Sequence, residues 1–449
     1  MTATKAPPST LASSRIPLRY ALAVFAGNGL EFYDFLTYAF FAVYIGKTFF
    51  PSEHPSISLL ASLGTFGAGF ITRPIGAMFF GPLGDRVGRK PVMLVTFSMM
   101  GIGIAGLCLT PSYSQIGIAA PILVLAFRLI EGFALGGEVG PSTAYMVEAA
   151  PPERRGLYGA MQALTVDASS MVAGVVGLLL ALTLTDQQLQ SWGWRIAMGL
   201  GVVIVPFGLW IRKRLPETLS DNDEIAPANN AGHATLSYRE RILPHMRIIL
   251  LGLLILTSLT IGGYTTNYMA TYALSSLHMS SVIAFGAVIV SSSISVTADA
   301  TGGWLSDKFG RKPVMLIPMA LLVILILPAY WIIDHYRVMP VLYGTTAILA
   351  GLSALGAAPI FTLITEQLPS HIRSGALSLV YAFAISIFGG STQFMETWLI
   401  KLTGNPMAPA FYWLGAALLG VFAVSRMRES APAKISRAEA GQQPEMETG

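Results

Sequence analysis

Apolar residues in this chain fall in long unbroken blocks, without the alternation of a half-buried strand or the narrow stripe of an amphipathic surface helix. Blocks of about 20 residues, each enough to cross roughly 30 Å of hydrocarbon, recur almost from end to end. Twelve can be counted, at 20–46, 58–80, 91–110, 117–148, 157–183, 194–211, 247–275, 282–304, 314–333, 339–365, 376–401 and 407–426. A segment inside lipid must satisfy its own backbone hydrogen bonds, so each block predicts a helix. One long polar insertion, 212–245, separates six blocks from six. The pattern therefore predicts an all-α membrane protein with five parts. These are an N-terminal tail at 1–18, a six-helix bundle at 19–211, a linker at 212–245, a second six-helix bundle at 246–427 and a tail at 428–449 expected to be disordered.

The two halves are related. GPLGDRVGRKPVML at Gly81 to Leu94 returns as GWLSDKFGRKPVML at Gly303 to Leu316, 222 residues later. Glu148, Pro151 and Arg155 return as Glu366, Pro369 and Arg373, 218 residues later. Matching signatures after spans two and eight, and after four and ten, mean that the second half repeats the first in the same orientation, with an axis along the membrane normal and a polar cavity expected between the halves.

Composition agrees with a bilayer: 53% of residues are hydrophobic, 12% are charged and the mean hydropathy is +0.61. The net charge of +4 matters less than its distribution. If both ends lie inside, 22 of the 28 Lys and Arg fall in cytoplasmic segments, as the positive-inside bias requires. Arg73, Arg128 and Arg195 fall in or at the rim of spans. The lone Cys108 lies in an apolar run and offers no disulfide, and no metal site or cofactor is expected. No cleavable leader is evident, so the first span is expected to stay. There is no P-loop, no His cluster and no nucleophile constellation, which argues against an ATP-driven pump and against an enzyme. The linker and tails are short, so no signalling domain is expected.

Gly81 to Lys90, its copy at Gly303 to Lys312, and RLIEGFALGGEVG at Arg128 to Gly140 resemble signatures of the major facilitator superfamily. GNGLEFYDF at Gly27, TRPIGA at Thr72, WGWRI at Trp192 and LPETL at Leu215 resemble its metabolite:proton symporter branch. IFGGSTQ at Ile387 and LIKLTG at Leu399 are most similar to the citrate and tricarballylate carriers of that branch. The resemblance implies twelve helices in two pseudo-symmetric bundles. It also implies a secondary transporter of the bacterial inner membrane with both termini cytoplasmic, importing a small organic acid with protons by alternating access. Its partners would be that metabolite, protons and lipid, with no nucleic acid, and it would act as a monomer.

Ionisable groups at bilayer depth usually face a cavity, a partner or a proton path, and this chain has several. Asp34 lies about 22 Å along its span from Arg19, and Arg128 lies at similar depth. A carboxylate beside a guanidinium stays charged, and one separated from it takes up a proton more readily, so the pair could couple protons to motion or could only fix helix packing. Glu131 and Glu138 share a face with Arg128, Glu31 lies one turn from Asp34, and Asp167 adds an acid at mid-depth. Asp34, Arg128, Glu131, Glu138 and Asp167 are the proton-coupling candidates, expected around one cavity. The related carriers usually show Gln at the position of Glu131, and the citrate carriers show no acid at that of Asp167. Five acids against two arginines would repel a tricarboxylate unless several are protonated or paired, so a dicarboxylate, a shikimate-like acid or a proline/betaine-type zwitterion stays open as cargo.

Arg73 could clasp a substrate carboxylate or hold helix carbonyls. Tyr264, Asn267 and Tyr268 give the seventh span a polar face suited to a ligand or to bonding between helices, and Tyr381 and Gln393 are further candidates. At the repeated turn, Gly81, Asp85, Arg86, Gly88, Arg89, Arg155, Asp307, Gly310, Arg311 and Arg373 are read as a cytoplasmic gate, in which Asp85 and Asp307 engage basic residues or helix N-termini. Asp299 is assigned to the same gate.

Overall fold

The computed structural model describes residues 28–29, 32–87, 89–136, 150–214 and 243–432, and a few side chains within those ranges are outside the description. Among the described residues the predicted blocks become twelve long helical segments, and no strand forms. The first, α1, covers 32–40 and resumes after a break at Phe41 as Ala42–Phe49. It is followed by α2 (Pro55–Val87), α3 (Arg89–Leu109), α4 (Ala119–Leu135), α5 (Arg155–Thr183) and α6 (Trp194–Arg214). The second half supplies α7 (Met246–Ser275), α8 (Ser281–Phe309), α9 (Arg311–Tyr336) and α10, which runs Met339–Ala357 and resumes at Ile360–Gln367. Ser370–Ala384 and Gly390–Thr403, joined through a π turn at Ile385–Gly389, make α11, and Ala408–Arg426 is α12. Among the described residues, eight helices are each long and apolar enough to cross a membrane.

Interruptions follow local chemistry. Pro359 lacks the amide that would carry α10 through, so the helix pauses at 358–359 and restarts. Gly310, with φ +107°, turns the chain between α8 and α9 in a region that a side chain would strain. Arg195, at the head of α6, donates to the carbonyls of Cys108 and Thr110 and closes the end of α3, where Cys108 itself is packed and half-buried.

In the first half α4 packs on both α2 and α3, and α3 on α6. In the second, α7 and α9 pack on α12 and α10 on α8 and α9. The halves meet along two seams, α5 against α8 and α2 against α11. Lipid tails provide no hydrophobic drive for helix association, so close backbone approach through small residues has to hold these seams. A β-carbon on Gly390 would meet the Gly67 carbonyl at 2.9 Å, and one on Gly303 would meet Leu157 Cα at 2.9 Å. Large apolar side chains such as Ile71, Met78, Leu179, Ile324 and Trp331 point outward, as a lipid-facing surface requires.

The segment after α12 differs from the disordered tail that its composition suggests. Ala431 is buried and Ser430 nearly so, because Glu429 and Ser430 bond to the ends of other helices. Residues 433–449 and 215–242, which carry most of the expected tail and linker, lie outside the described residues.

Candidate functional site

Three charged groups meet at the centre of the first half. Arg128 on α4 reaches one turn onward to Glu131, bonding its carboxylate, and across to α1, where its Nη1 lies 3.2 Å from Asp34 Oδ2. All three residues are 0–1% exposed, so water does not reach them. Such burial is costly unless pairing and hydrogen bonds compensate, and here compensation is partial. Arg128 Nε and Nη2, Asp34 Oδ1 and Glu131 Oε1 have no hydrogen-bond partner among the described residues. Aromatic rings take up part of the charge: the guanidinium lies 4.2 Å from the Phe35 ring centroid and 4.6 Å from that of Tyr38. Tyr38 is held in turn by donating to the Ser62 carbonyl.

Arg73 on α2 shares this aromatic wall. Its guanidinium sits 4.0 Å from the Phe70 ring and 4.5 Å from Phe35, so one phenylalanine serves both arginines. Tyr264 of α7 packs on Phe66 and Phe70 and brings the second half to the same wall. Asp34, Arg128, Glu131, Arg73 and Tyr264 thus form one cluster.

Other expected members lie elsewhere. Asp167 is half-buried on α5, against which α8, the helix of Ser295 and buried Asp299, packs closely. Asp299 is fully buried on α8, and neither of its carboxyl oxygens has a hydrogen-bond partner among the described residues. The rotation of α8 about its own axis decides this, and spacing along the chain does not report it. Asn267 accepts from Ser170 at 3.3 Å, which accepts from Ser292 at 2.9 Å, extending the polar seam. Tyr268 is turned into the second half, where its hydroxyl pairs with Thr397 at 2.8 Å beside buried Gln393 and the Thr265–Glu396 hydrogen bond. Tyr381 packs against Phe361 with the two rings tilted by 44°. The polar face of α7 is thus divided among three neighbours.

At the end that carries the repeated turn, Asp307 accepts from the backbone amides of Gly156 at 2.8 Å and Leu157 at 3.0 Å. These are the first free N–H groups of α5, a natural seat for an anion. Arg311 donates to Asp307 at 2.6 Å and to Glu366 at 3.1 Å, with its side chain fully buried. Glu429 then accepts from the amides of Arg311 and Lys312, capping α9, and Ser430 donates to Glu366 at 2.7 Å. Arg373 donates to the Leu368 carbonyl, and the Arg155 carbonyl accepts from Thr362. Glu366 and Glu429 were absent from the expected gate set. Glu366 carried a signal in the second internal repeat, whereas Glu429, in a short polar tail, carried none. The side chains of Gly81, Asp85, Arg86 and Arg89, and Gly88 and Glu138 entirely, lie outside the described residues. At the opposite end Tyr44 of α1 pairs with Ser281 of α8 at 2.8 Å, and Ser281 donates to Asp186. The halves therefore touch at both ends.

The sequence profile of the sugar (and other) transporter family matches residues 20–231 and again 220–436. This chain belongs to that family, within the major facilitator superfamily. The transporter is 33% identical over 406 residues to a citrate-proton symporter of Klebsiella pneumoniae, covering 90% of each chain. It is 30% identical to a proline/betaine transporter of Escherichia coli, covering 92% of this chain and 84% of that one. Its fold matches that of the xylose transporter XylE of E. coli with a TM-score of 0.73 at 19% identity, covering 91% and 97% of the two chains. The transporter is thus a multi-pass membrane protein that moves solutes and is not an enzyme. Its twelve helices have the arrangement of the superfamily.

Proposed function

We propose that this transporter is a proton symporter of the bacterial inner membrane that imports a small organic acid, citrate or a related tricarboxylate, by alternating access. The bundles 19–211 and 246–427 rock about the centre, with the repeated turns and both termini on the cytoplasmic side and the chain acting as a monomer. The observation that carries this reading is the sealed group of Asp34, Arg128 and Glu131. Fully ionised, it holds one negative charge in excess, and one proton makes it neutral and far less costly to enclose. A group whose net charge changes with one proton, placed where two halves close over it, is what coupling requires.

The cargo reading rests on the two guanidiniums on Phe35. The Nε–Nη2 edge of Arg128, which has no partner among the described residues, is one of the two edges that clasp a carboxylate bidentately. Arg73, Arg128, Tyr264 and Asn267 would contact the substrate first, with Tyr268, Tyr381 and Gln393 behind them. Similarity to a citrate-proton symporter over nearly the whole chain supports the same choice. The acids beside Arg128 and the similarity to a proline/betaine transporter favour a zwitterion as the second reading.

Counterflow of labelled citrate into proteoliposomes tests this, with tricarballylate, α-ketoglutarate, shikimate and betaine as competitors. Citrate exchange blocked by tricarballylate is expected. Exchange that only betaine blocks would assign the second reading.

A further inference from the structure

One buried acid of the second half has no part in the Arg128 group. Glu396 on α11 is 0% exposed, and the one hydrogen bond to its carboxyl comes from the Thr265 hydroxyl of α7, onto Oε1. Oε2 has no partner, and no lysine, arginine or histidine among the described residues lies within ion-pair distance of either oxygen. The helices packed on this part of α11 are α2, α7 and α12. On α2 no ionisable residue occurs between Pro55 and Arg73, and the Arg73 guanidinium lies over Phe70 and Phe35. Within two turns of Thr265 on α7 the titratable side chains are the phenols Tyr264, Tyr268 and Tyr272, and α12 brings Tyr412. From α9, Tyr330 packs on Tyr272 at 5.6 Å. Tyr268 pairs with Thr397, the residue after Glu396, at 2.8 Å, and Tyr272 donates to the Pro406 carbonyl at 3.0 Å. Lys401, five residues further along α11, is exposed. A carboxylate enclosed with one hydroxyl donor and no cation retains most of the cost of leaving water, whereas the neutral acid retains only that of one unpaired polar atom.

We propose that Glu396 holds a proton of its own in this arrangement, as a neutral carboxylic acid bonded to Thr265, and is a second proton site of the transporter, apart from Arg128. The proton is kept for as long as the surrounding helices exclude water. Release leaves a carboxylate and passes the proton to water, which reaches the group only where those helices part. The position suits such exchange. Glu396 precedes Gly404, the end of α11 away from the repeated turn, by eight residues, about 12 Å of helix. Beyond Gly404 the chain is exposed at Asn405, next to the Pro406 carbonyl that holds Tyr272. Thr265 adjoins Tyr264, which packs on Phe66 and Phe70, so the bond to Glu396 also anchors the part of α7 that faces the first half. Gain or loss of this proton is therefore tied to movement of α11 against α7. Its part in transport rests on the proton-driven alternating access proposed above, but the bound proton itself does not.

Two measurements on the full chain in detergent test the proposal without any substrate, so a failure to transport citrate would leave them readable. The first is the infrared carbonyl band of protonated carboxyls at neutral pH. The parent should show a band that Glu396→Gln lacks and that Asp34→Asn and Glu131→Gln retain. Thr265→Val removes the donor to Oε1 but not the acid, so the same band should persist at higher frequency, as a carbonyl freed of a hydrogen bond does. This variant keeps the test readable if Glu396→Gln does not fold. Carboxyl bands identical in the parent and Glu396→Gln, or a Thr265→Val spectrum in which nothing moves, overturn the proposal. So does a band that sodium abolishes at fixed pH, which would make Glu396 a metal-cation site. The second measurement is unfolding followed from about pH 5 to about pH 8. Above about pH 4.3 an unfolded glutamate sheds its proton while the folded one keeps it, so rising pH should favour unfolding of the parent over that of Glu396→Gln, by up to about tenfold per unit. A difference between the two that does not change with pH overturns the proposal.

Discussion

Arg128 shows how far one side chain determines the behaviour of its surroundings. Removing it takes away the cation bonded to buried Asp34 and Glu131, and breaking a buried pair in this way costs about 3–5 kcal/mol. Arg128→Ala should therefore lower the thermal unfolding midpoint in detergent by several degrees as well as abolish uptake, which a scan of intrinsic fluorescence would show. Asp34→Asn keeps the volume and removes the charge. It should leave counterflow largely intact and abolish accumulation driven by an imposed pH gradient, and normal accumulation would remove Asp34 from the coupling step. The Asp34–Arg128 contact was legible from depth along the helices alone, and Glu131 followed because residues three apart share a face. The surroundings of Asp167 and Asp299 were not legible, for the complementary reason. Position along a helix sets depth, whereas which residue faces a neighbouring helix depends on rotation, and here the rotation is set by where glycines and serines allow the helices to touch.

At the scale of elements, the positively charged head of α5 is held by a carboxylate from α8, and that of α9 by one from beyond α12. Each carboxylate satisfies amides that a helix leaves open and complements its dipole. Asp307→Asn retains the shape but not the charge. It should insert normally and lose transport, with the turn end open more of the time, seen as faster alkylation of a cysteine placed at buried Ser306. Glu429→Ala should lower stability by about 0.5–2 kcal/mol, the usual cost of a lost helix cap, read as an earlier unfolding transition. The repeated turn pointed to the contacts of Asp307 and Arg311 because glycine, aspartate and basic residues recurred at fixed spacing between apolar blocks. The C-terminal segment did not announce itself, since a short polar tail reads the same whether it is free or docked.

For the molecule as a whole, the all-α architecture of the superfamily was largely present in the apolar blocks, which the described residues show as twelve helical segments. Which helices would form the seams was not, because lipid-facing and partner-facing residues are equally apolar, and only the placement of small residues distinguishes them. The α2/α11 seam illustrates this at Gly67 and Gly390, where backbone lies on backbone with no side chain between. Gly390→Leu would push α11 off α2 and should slow turnover at unchanged substrate affinity, measured as a fall in kcat with KM preserved. Two bare polypeptide surfaces have no rotamers to rearrange as they shift, so this crossing can act as a bearing: one half can roll on the other while interdigitated side chains elsewhere must let go and engage again.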